Sequence, residues 1–311
     1  MKILVTGGSG FIGSHLTEAL VKEGHEVTIT STGSEPKISG VKKVLYPSLE
    51  GIDWKEVYGL DAVFHQMANN DTRCQDESEM FRANVYGPIK LFVHASQGGC
   101  KKFIYASSTA VYGSEPAPYV EGVTQVKPLN VYGHSKAKFD EFAIQFAKDE
   151  QVQVTGFRYC NVYGPGEQNK GKRMSMIGQL ARQMTKFKRP TLFAYGEQRR
   201  DWIYVKDVVK ANLLALNRTV GEAGEIYNLG SGVASTFNQI VEVINDWMHA
   251  NMGFITTLEP DYVPCPFSAE YQNYTQCAIE KAQKHLGLSI EYDLRKGIHE
   301  YLKELLTVPQ S

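Results

Sequence analysis

The amino-acid sequence predicts an α/β protein: a Rossmann-type, doubly wound parallel sheet followed by a smaller mixed α/β domain. Three observations predict it. A glycine-rich turn joins the first apolar strand to a helix, short β-rich runs alternate with helical stretches, and this pattern changes after a Gly-Pro-Gly break at 164–166. Alternating strands and helices are typical of a parallel sheet covered on both faces. We place the domains at residues 1–165 and 166–311, with segments near 200–235 able to rejoin the first domain.

The elements follow from local patterns, taken in chain order. Residues Ile12, Leu16, Ala19 and Leu20 recur near the 3.6-residue helical period, and Gly24 follows the end of that helix. The predicted strands of the first half are 2–6, 26–30, 61–65, 102–107 and 152–158. The predicted helices there are 13–23, 80–96 and 135–149. Beyond the break we predict helices at 176–187 and 207–216, a β-like segment at 199–205 and a strand at 225–229.

The composition excludes several classes of protein. The 311 residues are 42% hydrophobic and 22% charged with a formal net charge of -1, and no block of Lys or Arg stands out. A nucleic-acid partner is therefore not expected. The first apolar run is shorter than a secretory signal requires, and no window approaches the roughly 18 apolar residues of a membrane span. We expect no membrane partner and a cytoplasmic location.

The cysteine pattern also favours a cytoplasmic location. The five cysteines are odd in number, widely spaced and form no Cys-x-x-Cys pair; they are Cys74, Cys100, Cys160, Cys265 and Cys277. This arrangement predicts neither a structural zinc site nor a disulfide framework, and we expect no bound metal. A reducing compartment fits it best.

The glycine-rich turn has the spacing of a dinucleotide site. Gly7, Gly10 and Gly13 follow the first strand and open the first helix, with Phe11 and Ile12 between them. Glycine lets the backbone approach a pyrophosphate, and the helix N-terminus offers unpaired N–H groups to it. A plain strand-to-helix turn is the other interpretation of the same spacing.

The end of the second strand carries no acidic residue. An acid at that place would bind the adenosine ribose 2′-hydroxyl. Here Ser31, Thr32 and Lys37 are found instead, and hydroxyls with a lysine can accept a 2′-phosphate. The sequence thus favours NADP weakly and leaves NAD open, because Lys37 can equally be a solvated loop lysine.

Two further segments carry catalytic residue types. Ser107-Ser108-Thr109 ends a strand, and Tyr132 lies four residues before Lys136, which places both on one face of a helix. A tyrosine with a pKa near 10 is a poor base at neutral pH unless a cation favours the phenolate. Lys136 can supply that cation, and Ser108 can orient a substrate oxygen. These residues predict proton transfer coupled to hydride transfer.

These motifs resemble the extended short-chain dehydrogenases/reductases that modify nucleotide sugars. The resemblance runs nearly end to end and also includes Phe64-His65, Asn84, the run 158–165, Arg200-Asp201 and the run 227–230. It implies NAD or NADP in the first domain, a nucleotide-diphosphate sugar in the second, and a homodimer through helices of the first domain. The implied cofactor-binding residues are Gly7, Gly10, Phe11, Ile12, Gly13, Ser31, Thr32, Lys37, Met67, Ala68, Asn84, Ser107, Tyr132, Lys136 and Tyr159.

Departures from the family pattern narrow the range of expected activities. Sugar-nucleotide dehydratases carry an Asp-Glu pair after the catalytic hydroxyl, where this chain has Thr109-Ala110. Asn169-Lys170-Gly171 and the run 271–276 are similar to ADP-glycero-manno-heptose 6-epimerases, although Glu270 replaces that group's arginine. UDP-hexose 4-epimerases share most of the motifs. The resemblance implies Ser108, Tyr132, Lys136 and Lys170 as catalytic residues, and as substrate-binding residues Ser108, Thr109, Asn161, Lys170, Arg200 and Tyr271.

Simpler roles remain open for several of these residues. Lys170 can be a solvated lysine, Arg200 a surface ion pair and Asn161 a turn cap, while Tyr159 can belong to the core. Our first hypothesis is an epimerase that oxidises a sugar carbinol to a ketone and reduces it again from the other face. A reductase or dehydrogenase of a keto sugar nucleotide is the second hypothesis. A non-catalytic nucleotide-binding protein is the third.

Overall fold

The computed structural model describes residues 1–31, 38–45, 49–150, 152–218, 223–265 and 272–307. The strands in chain order are β1 (Lys2–Thr6), β2 (Glu26–Ser31), β3 (Lys42–Leu45), β4 (Ala62–His65), β5 (Lys102–Ser108), β6 (Gln153–Tyr159), β7 (Asn161–Tyr163), β8 (Thr191–Phe193), β9 (Arg199–Tyr204), β10 (Gly224–Leu229), β11 (Ala234–Thr236), β12 (Asp261–Val263) and β13 (Tyr274–Thr275). The α-helices are α1 (Phe11–Lys22), α2 (Glu77–Phe81), α3 (Gly87–Gln97), α4 (Val131–Glu150), α5 (Met176–Met184), α6 (Val205–Asn217), α7 (Phe237–Met252), α8 (Glu280–Leu286) and α9 (Leu294–Thr307).

A parallel sheet with the strand order β10-β6-β5-β4-β1-β2-β3 forms the centre of the molecule. The order reverses beside β1, because the chain moves from β1 out to β3 and then returns to β4 on the other side. Ligands of open α/β sheets bind in the crevice at such a switch point, outside the carboxyl ends of the strands. The predicted Rossmann-type sheet is therefore confirmed.

Helices cover both faces of this sheet. One face carries α1 and α6 over a core that includes Ile3, Leu16 and Ala211. The other face carries α3 and α4 over a core that includes Phe92 and Phe139. Every residue of β4 is buried, as expected for a strand covered on both sides.

The remaining strands form a smaller layer against the carboxyl end of the sheet. β9 pairs with β11, β13 and β7, and β8 pairs with β12. A separate apolar core that includes Trp202, Ile244 and Leu302 joins this layer to α5, α7 and α9. No helix among the described residues is long and apolar enough to span a bilayer.

The predicted element bounds differ from the observed ones in two informative places. The helix predicted at 80–96 is interrupted by a π-helical turn at Arg82–Tyr86, which carries Asn84. The helix predicted from residue 135 begins at Val131, so Tyr132 lies inside its first turn. Both differences fall on candidate site residues.

Candidate active site

The glycine turn forms a tight cradle between β1 and α1. Gly7 has a φ of +68°, which few side chains tolerate. A Cβ added to Gly13 would lie 2.1 Å from the Gly7 carbonyl oxygen, so the helix packs directly on the turn. The Gly7 N–H donates to Thr30 Oγ1 at 3.1 Å. The N-terminus of α1 therefore lies at the switch point of the sheet, where a pyrophosphate can bind it.

One residue beside the cradle carries a polar group without a partner in the described structure. Ser107 is buried, and its hydroxyl has no hydrogen-bond partner within the described structure. An orphaned buried hydroxyl at the carboxyl end of β5 fits a group that binds there. Met67 and Ala68 begin the loop after β4, and the Met67 N–H lies 3.4 Å from Thr6 Oγ1.

The end of β2 is only partly described. The Ser31 side chain is buried, with its hydroxyl oxygen 2.6 Å from that of Ser9 in the glycine turn. Thr32 and Lys37, which carried the sequence preference for NADP, lie outside the described residues.

Asn84 is buried in the π-helical turn and links two candidate segments. Its Oδ1 accepts the Asn69 N–H at 2.8 Å, and its Nδ2 lies 2.8 Å from the Asn69 carbonyl oxygen and 3.1 Å from Ser135 Oγ. Ser135 in turn donates to the Tyr132 carbonyl at 2.7 Å. The amide therefore fastens the loop after β4 to the first turn of α4.

The residues Ser108, Tyr132 and Lys136 come together at the carboxyl end of β5. Lys136 is buried, with Nζ 3.0 Å from the Ala106 carbonyl oxygen and 5.9 Å from the centroid of the Tyr132 ring. Burial raises the pKa of Tyr132, while a hydrogen bond with the Ser108 side chain lowers it and the Asp140 carboxylate raises it. Burial lowers the pKa of Lys136 to about 8, and Asp140 opposes that shift.

A buried ion pair lies on the same face of α4, one turn below Lys136. Asp140 Oδ2 accepts Arg158 Nε at 2.9 Å, and Asp140 Oδ1 accepts the Tyr105 hydroxyl at 2.9 Å. Arg158 also donates to the Tyr112 hydroxyl at 2.9 Å. One network thus holds the ends of β5, α4 and β6 in register. Sequence reasoning missed it, although the spacing of 132, 136 and 140 carries the signal.

His65 is part of the scaffold of the site. Its Nδ1 lies 2.7 Å from Thr6 Oγ1, and its ring is buried. Burial lowers the pKa of His65 to about 3, with a smaller contribution from Lys136. His65 is therefore a neutral, packed side chain of the scaffold.

Lys170 lies against the glycine turn. Its Nζ is 5.1 Å from the centroid of the Phe11 ring, and burial lowers its pKa, which Glu167 opposes. The loop is anchored by His15 Nε2, 2.8 Å from the Pro165 carbonyl oxygen, and by buried Glu167, which accepts the Ser175 N–H at 2.7 Å. Lys170 is therefore held in an ordered loop at the cleft.

The other substrate candidates lie on neighbouring strand ends. Thr109 Oγ1 donates to the Tyr159 carbonyl at 3.2 Å, and Asn161 Nδ2 donates to the Asp201 carbonyl at 3.1 Å. Arg200 is half-buried at the start of β9. Tyr271 lies outside the described residues.

Tyr159 faces the core of the first sheet. Its side chain is buried, and its hydroxyl lies 3.2 Å from Gln66 Oε1 and 3.0 Å from Asn212 Nδ2. These contacts attach the loop after β4 to α6, so the Tyr159 side chain supports that loop.

The expectation that the cysteines form no disulfide is wrong for one pair. Cys160 and Cys277 form a disulfide between residues 117 apart in sequence. The spacing of the cysteines in the sequence gave no indication of this bond, because the end of β6 and the residues after β13 meet only in the folded chain. Asp201 lies beside both sulfurs, but the Ser231 N–H and hydroxyl bind its Oδ1 and the Gly232 and Cys277 N–H groups bind its Oδ2. Its lone pairs are therefore already engaged by protein donors.

A family model described as the NAD dependent epimerase/dehydratase family matches residues 3–230. The chain belongs to the NAD dependent epimerase/dehydratase family. The matched residues include the glycine cradle, the cluster of Ser108, Tyr132 and Lys136, and β10.

Individual members of this epimerase/dehydratase family cover almost the whole chain. The ADP-L-glycero-D-manno-heptose-6-epimerase of Alkalilimnicola ehrlichii is 35% identical over 99% of this chain and 98% of its own length. The crystal structure of the Helicobacter pylori ADP-L-glycero-D-manno-heptose-6-epimerase has a TM-score of 0.85 at 32% identity, covering 99% and 96% of the two chains. The UDP-glucose 4-epimerase of Thermotoga maritima, solved with UDP-glucose, has a TM-score of 0.85 at 27% identity over 99% of both chains.

Proposed function

We propose that this protein is a nicotinamide-dependent nucleotide-sugar epimerase. The observation that carries the proposal is the cluster of Ser108, Tyr132 and Lys136 at the carboxyl end of β5, beside a dinucleotide cradle. Family membership and the 35% identity to a heptose epimerase support it. Residues 1–165 would hold the dinucleotide and residues 166–311 the nucleotide sugar.

The side chains of the cluster divide the proton chemistry between them. Tyr132, as phenolate, takes the proton of the sugar hydroxyl, and Ser108 holds the same oxygen by a hydrogen bond. Lys136 lowers the energy of the phenolate through its positive charge. A bound nicotinamide supplies the hydride acceptor in the first half-reaction and the hydride donor in the second. A proton returns to the substrate oxygen as the ketone is reduced.

Epimerisation requires hydride to return to the opposite face of the ketone. Among the two substrate classes, the ADP-heptose class is favoured by the higher identity to its members and by the position of Lys170. Burial lowers the Lys170 pKa, so this amine can exchange a proton closer to neutral pH than a solvated lysine can. Lys170 would serve the second face of the ketone. A UDP-hexose substrate would instead rotate and use Tyr132 twice.

For the cofactor we propose NAD. The family description supports it, and the Ser31 hydroxyl that would face a 2′-phosphate is already paired with Ser9. Restoring activity to cofactor-stripped protein with NAD, and not with NADP, is the expected outcome. Restoration by NADP alone would overturn this assignment.

We further propose a homodimer through the outer faces of α3 and α4. Both flank an apolar groove that includes Phe81, Tyr86, Ile89 and Phe142, and Tyr86 is 58% exposed. A second copy of the chain would cover these side chains with the same surface, as a two-fold interface requires.

The proposal is tested by product analysis without added cofactor. Purified protein is incubated separately with ADP-D-glycero-D-manno-heptose, UDP-glucose and UDP-galactose, and each mixture is followed by proton NMR. Conversion of one sugar to its epimer is expected, with the heptose converted fastest. Conversion that occurs only with stoichiometric consumption of added cofactor would overturn the epimerase and indicate a reductase.

A further inference from the structure

The disulfide lies on the substrate side of the cleft and has no part in the proposed proton chemistry. Cys160 directly precedes Asn161, and Cys277 follows β13 by two residues. Asn161 and the chain leading into β13 are where the nucleotide sugar is proposed to bind. The bond therefore joins two separate substrate segments that are 117 residues apart.

Besides the disulfide, a short strand pairing and several hydrogen bonds attach the β13 segment to the rest of the described chain. Gln272 Nε2 donates to the Gly113 carbonyl, the Asn273 carbonyl accepts the Arg199 N–H at 2.8 Å, and Gln276 Nε2 donates to the Gly232 carbonyl at 2.7 Å. β13 is two residues long and pairs with β9 at Arg199 and Arg200. Tyr119 bridges the segment through its N–H, which donates to the Gln276 carbonyl at 2.8 Å, and its carbonyl, which accepts the Ala278 N–H at 2.9 Å. The Cys277 N–H donates to Asp201. The disulfide adds a covalent tie to these non-covalent contacts.

The surroundings of the two sulfurs tolerate the reduced state. Cys160 and Cys277 are buried among Val111, Tyr112, Tyr119 and Ile279. Thiols behave as small apolar side chains, so two thiols can remain in this cluster without an unpaired charge. The fold can thus persist in both states, while the freedom of the segment differs between them.

We propose that Cys160 and Cys277 form a reversible redox site that controls how firmly the substrate segment after residue 271 is held. Closing the bond removes two electrons and two protons from the two thiols and forms one S–S bond. A low-molecular-weight disulfide accepts them and leaves as two thiols, and a dithiol reverses the exchange. The effect on substrate rests on the proposed function, whereas the bond and its effect on mobility do not.

Reduction is expected to weaken nucleotide-sugar binding and to spare the chemical step. Tyr132 and Lys136 lie on α4, which the Asp140–Arg158 pair fastens to β6 independently of the disulfide. KM for the nucleotide sugar should rise about tenfold in the reduced enzyme, while kcat changes less than about twofold. Bound nucleotide sugar should in turn slow reduction of the bond, because binding and closure favour the same state.

The experiment compares the intact enzyme after treatment with diamide and after treatment with dithiothreitol. Alkylation and mass spectrometry should count three modified cysteines in the oxidised protein, namely Cys74, Cys100 and Cys265, and all five in the reduced protein. Hydrogen exchange at the Cys277 and Ala278 amides should quicken on reduction by about tenfold or more. Cys277→Ala should behave as the reduced enzyme in either reagent. The control variant Cys100→Ala changes a residue remote from the cleft, and it should retain the difference between the two treatments.

Alkylation, hydrogen exchange and KM each test one part of the proposal. Five alkylated cysteines after diamide, or equal exchange rates in the two states, would overturn the redox site whatever the enzyme does to sugars. Equal KM values in the two states would overturn its control of substrate binding. If no nucleotide sugar is converted, the proposed function fails, while alkylation and hydrogen exchange still decide the redox site.

Discussion

At the scale of single residues, the reactivity of Tyr132 is set by opposing effects of its surroundings. Burial and the Asp140 carboxylate raise its pKa, and the hydrogen bond with Ser108 lowers it. Lys136, 5.9 Å from the ring centroid, is the cation that can favour the phenolate when substrate excludes water. The sequence placed Ser108 at the end of a strand and Tyr132 and Lys136 on one face of a helix, and the structure brings the three side chains together.

Replacing Tyr132 by Phe removes the proton acceptor and leaves the ring in place. We expect kcat to fall by about 10²–10⁴, with nucleotide-sugar binding within a few-fold of wild type. Steady-state kinetics and calorimetric titration measure the two quantities. Tyr58→Phe, at an exposed position, serves as the control. A Tyr132→Phe enzyme with wild-type kcat would contradict the assigned base.

The lowered pKa of Lys136 leads to a prediction of how the activity depends on pH. Its pKa is lowered to about 8, so its charge is present below pH 8 and is lost as the pH rises through that value. We expect kcat/KM to fall on the alkaline side of about pH 8. Lys136→Arg, whose guanidinium keeps its charge, should abolish that fall and have a lower maximal rate. If kcat/KM of this variant still falls at alkaline pH, a group other than Lys136 is responsible for the fall.

At the scale of elements, helix α4 carries the site and its support on one face. Tyr132, Lys136 and Asp140 recur every four residues, and Asp140 reaches Arg158 on β6. The sequence predicted the helix but placed its start at residue 135, since Pro128 and Gly133 weaken the local helical signal. Its true start at Val131 has a local N-cap, because the Gly133 N–H donates to Asn130 Oδ1 at 2.8 Å.

Breaking the buried pair should cost stability. Asp140→Asn leaves the Arg158 guanidinium without its anion, and we expect the free energy of unfolding to fall by about 3–5 kcal/mol. The double variant Asp140→Leu/Arg158→Met removes both charges and should regain much of that loss. Urea unfolding of the two proteins provides the comparison. Equal destabilisation in both would mean that packing, and not the unpaired charge, accounts for the loss.

At the scale of the whole molecule, the sequence predicted the central sheet and missed much of the second layer. Strands β7, β8, β11, β12 and β13 are two or three residues long, too short for any periodicity. The disulfide and the Asp201 contacts join parts of the chain that have no relation in sequence. Such features depend on the assembled fold, so local patterns carry no information about them.

The proposed dimer is tested through an exposed residue of the groove. Tyr86→Asp places a charge at the centre of the apolar surface between α3 and α4, and it should convert a dimer into a monomer. Sedimentation velocity measures the mass. Val123→Asp, at another exposed position, should leave the dimer intact. A wild-type protein that sediments as a monomer at every concentration would contradict the proposal.

In the proposed epimerisation, one hydride leaves the sugar and returns to the same carbon from the other face. The most direct test uses a nucleotide sugar deuterated at the epimerised carbon, incubated with the enzyme and no added cofactor. Mass spectrometry and NMR should find the deuterium on that carbon in the epimer, with no net change in nicotinamide absorbance. Deuterium lost to solvent, or cofactor consumed in proportion to product, would contradict the account.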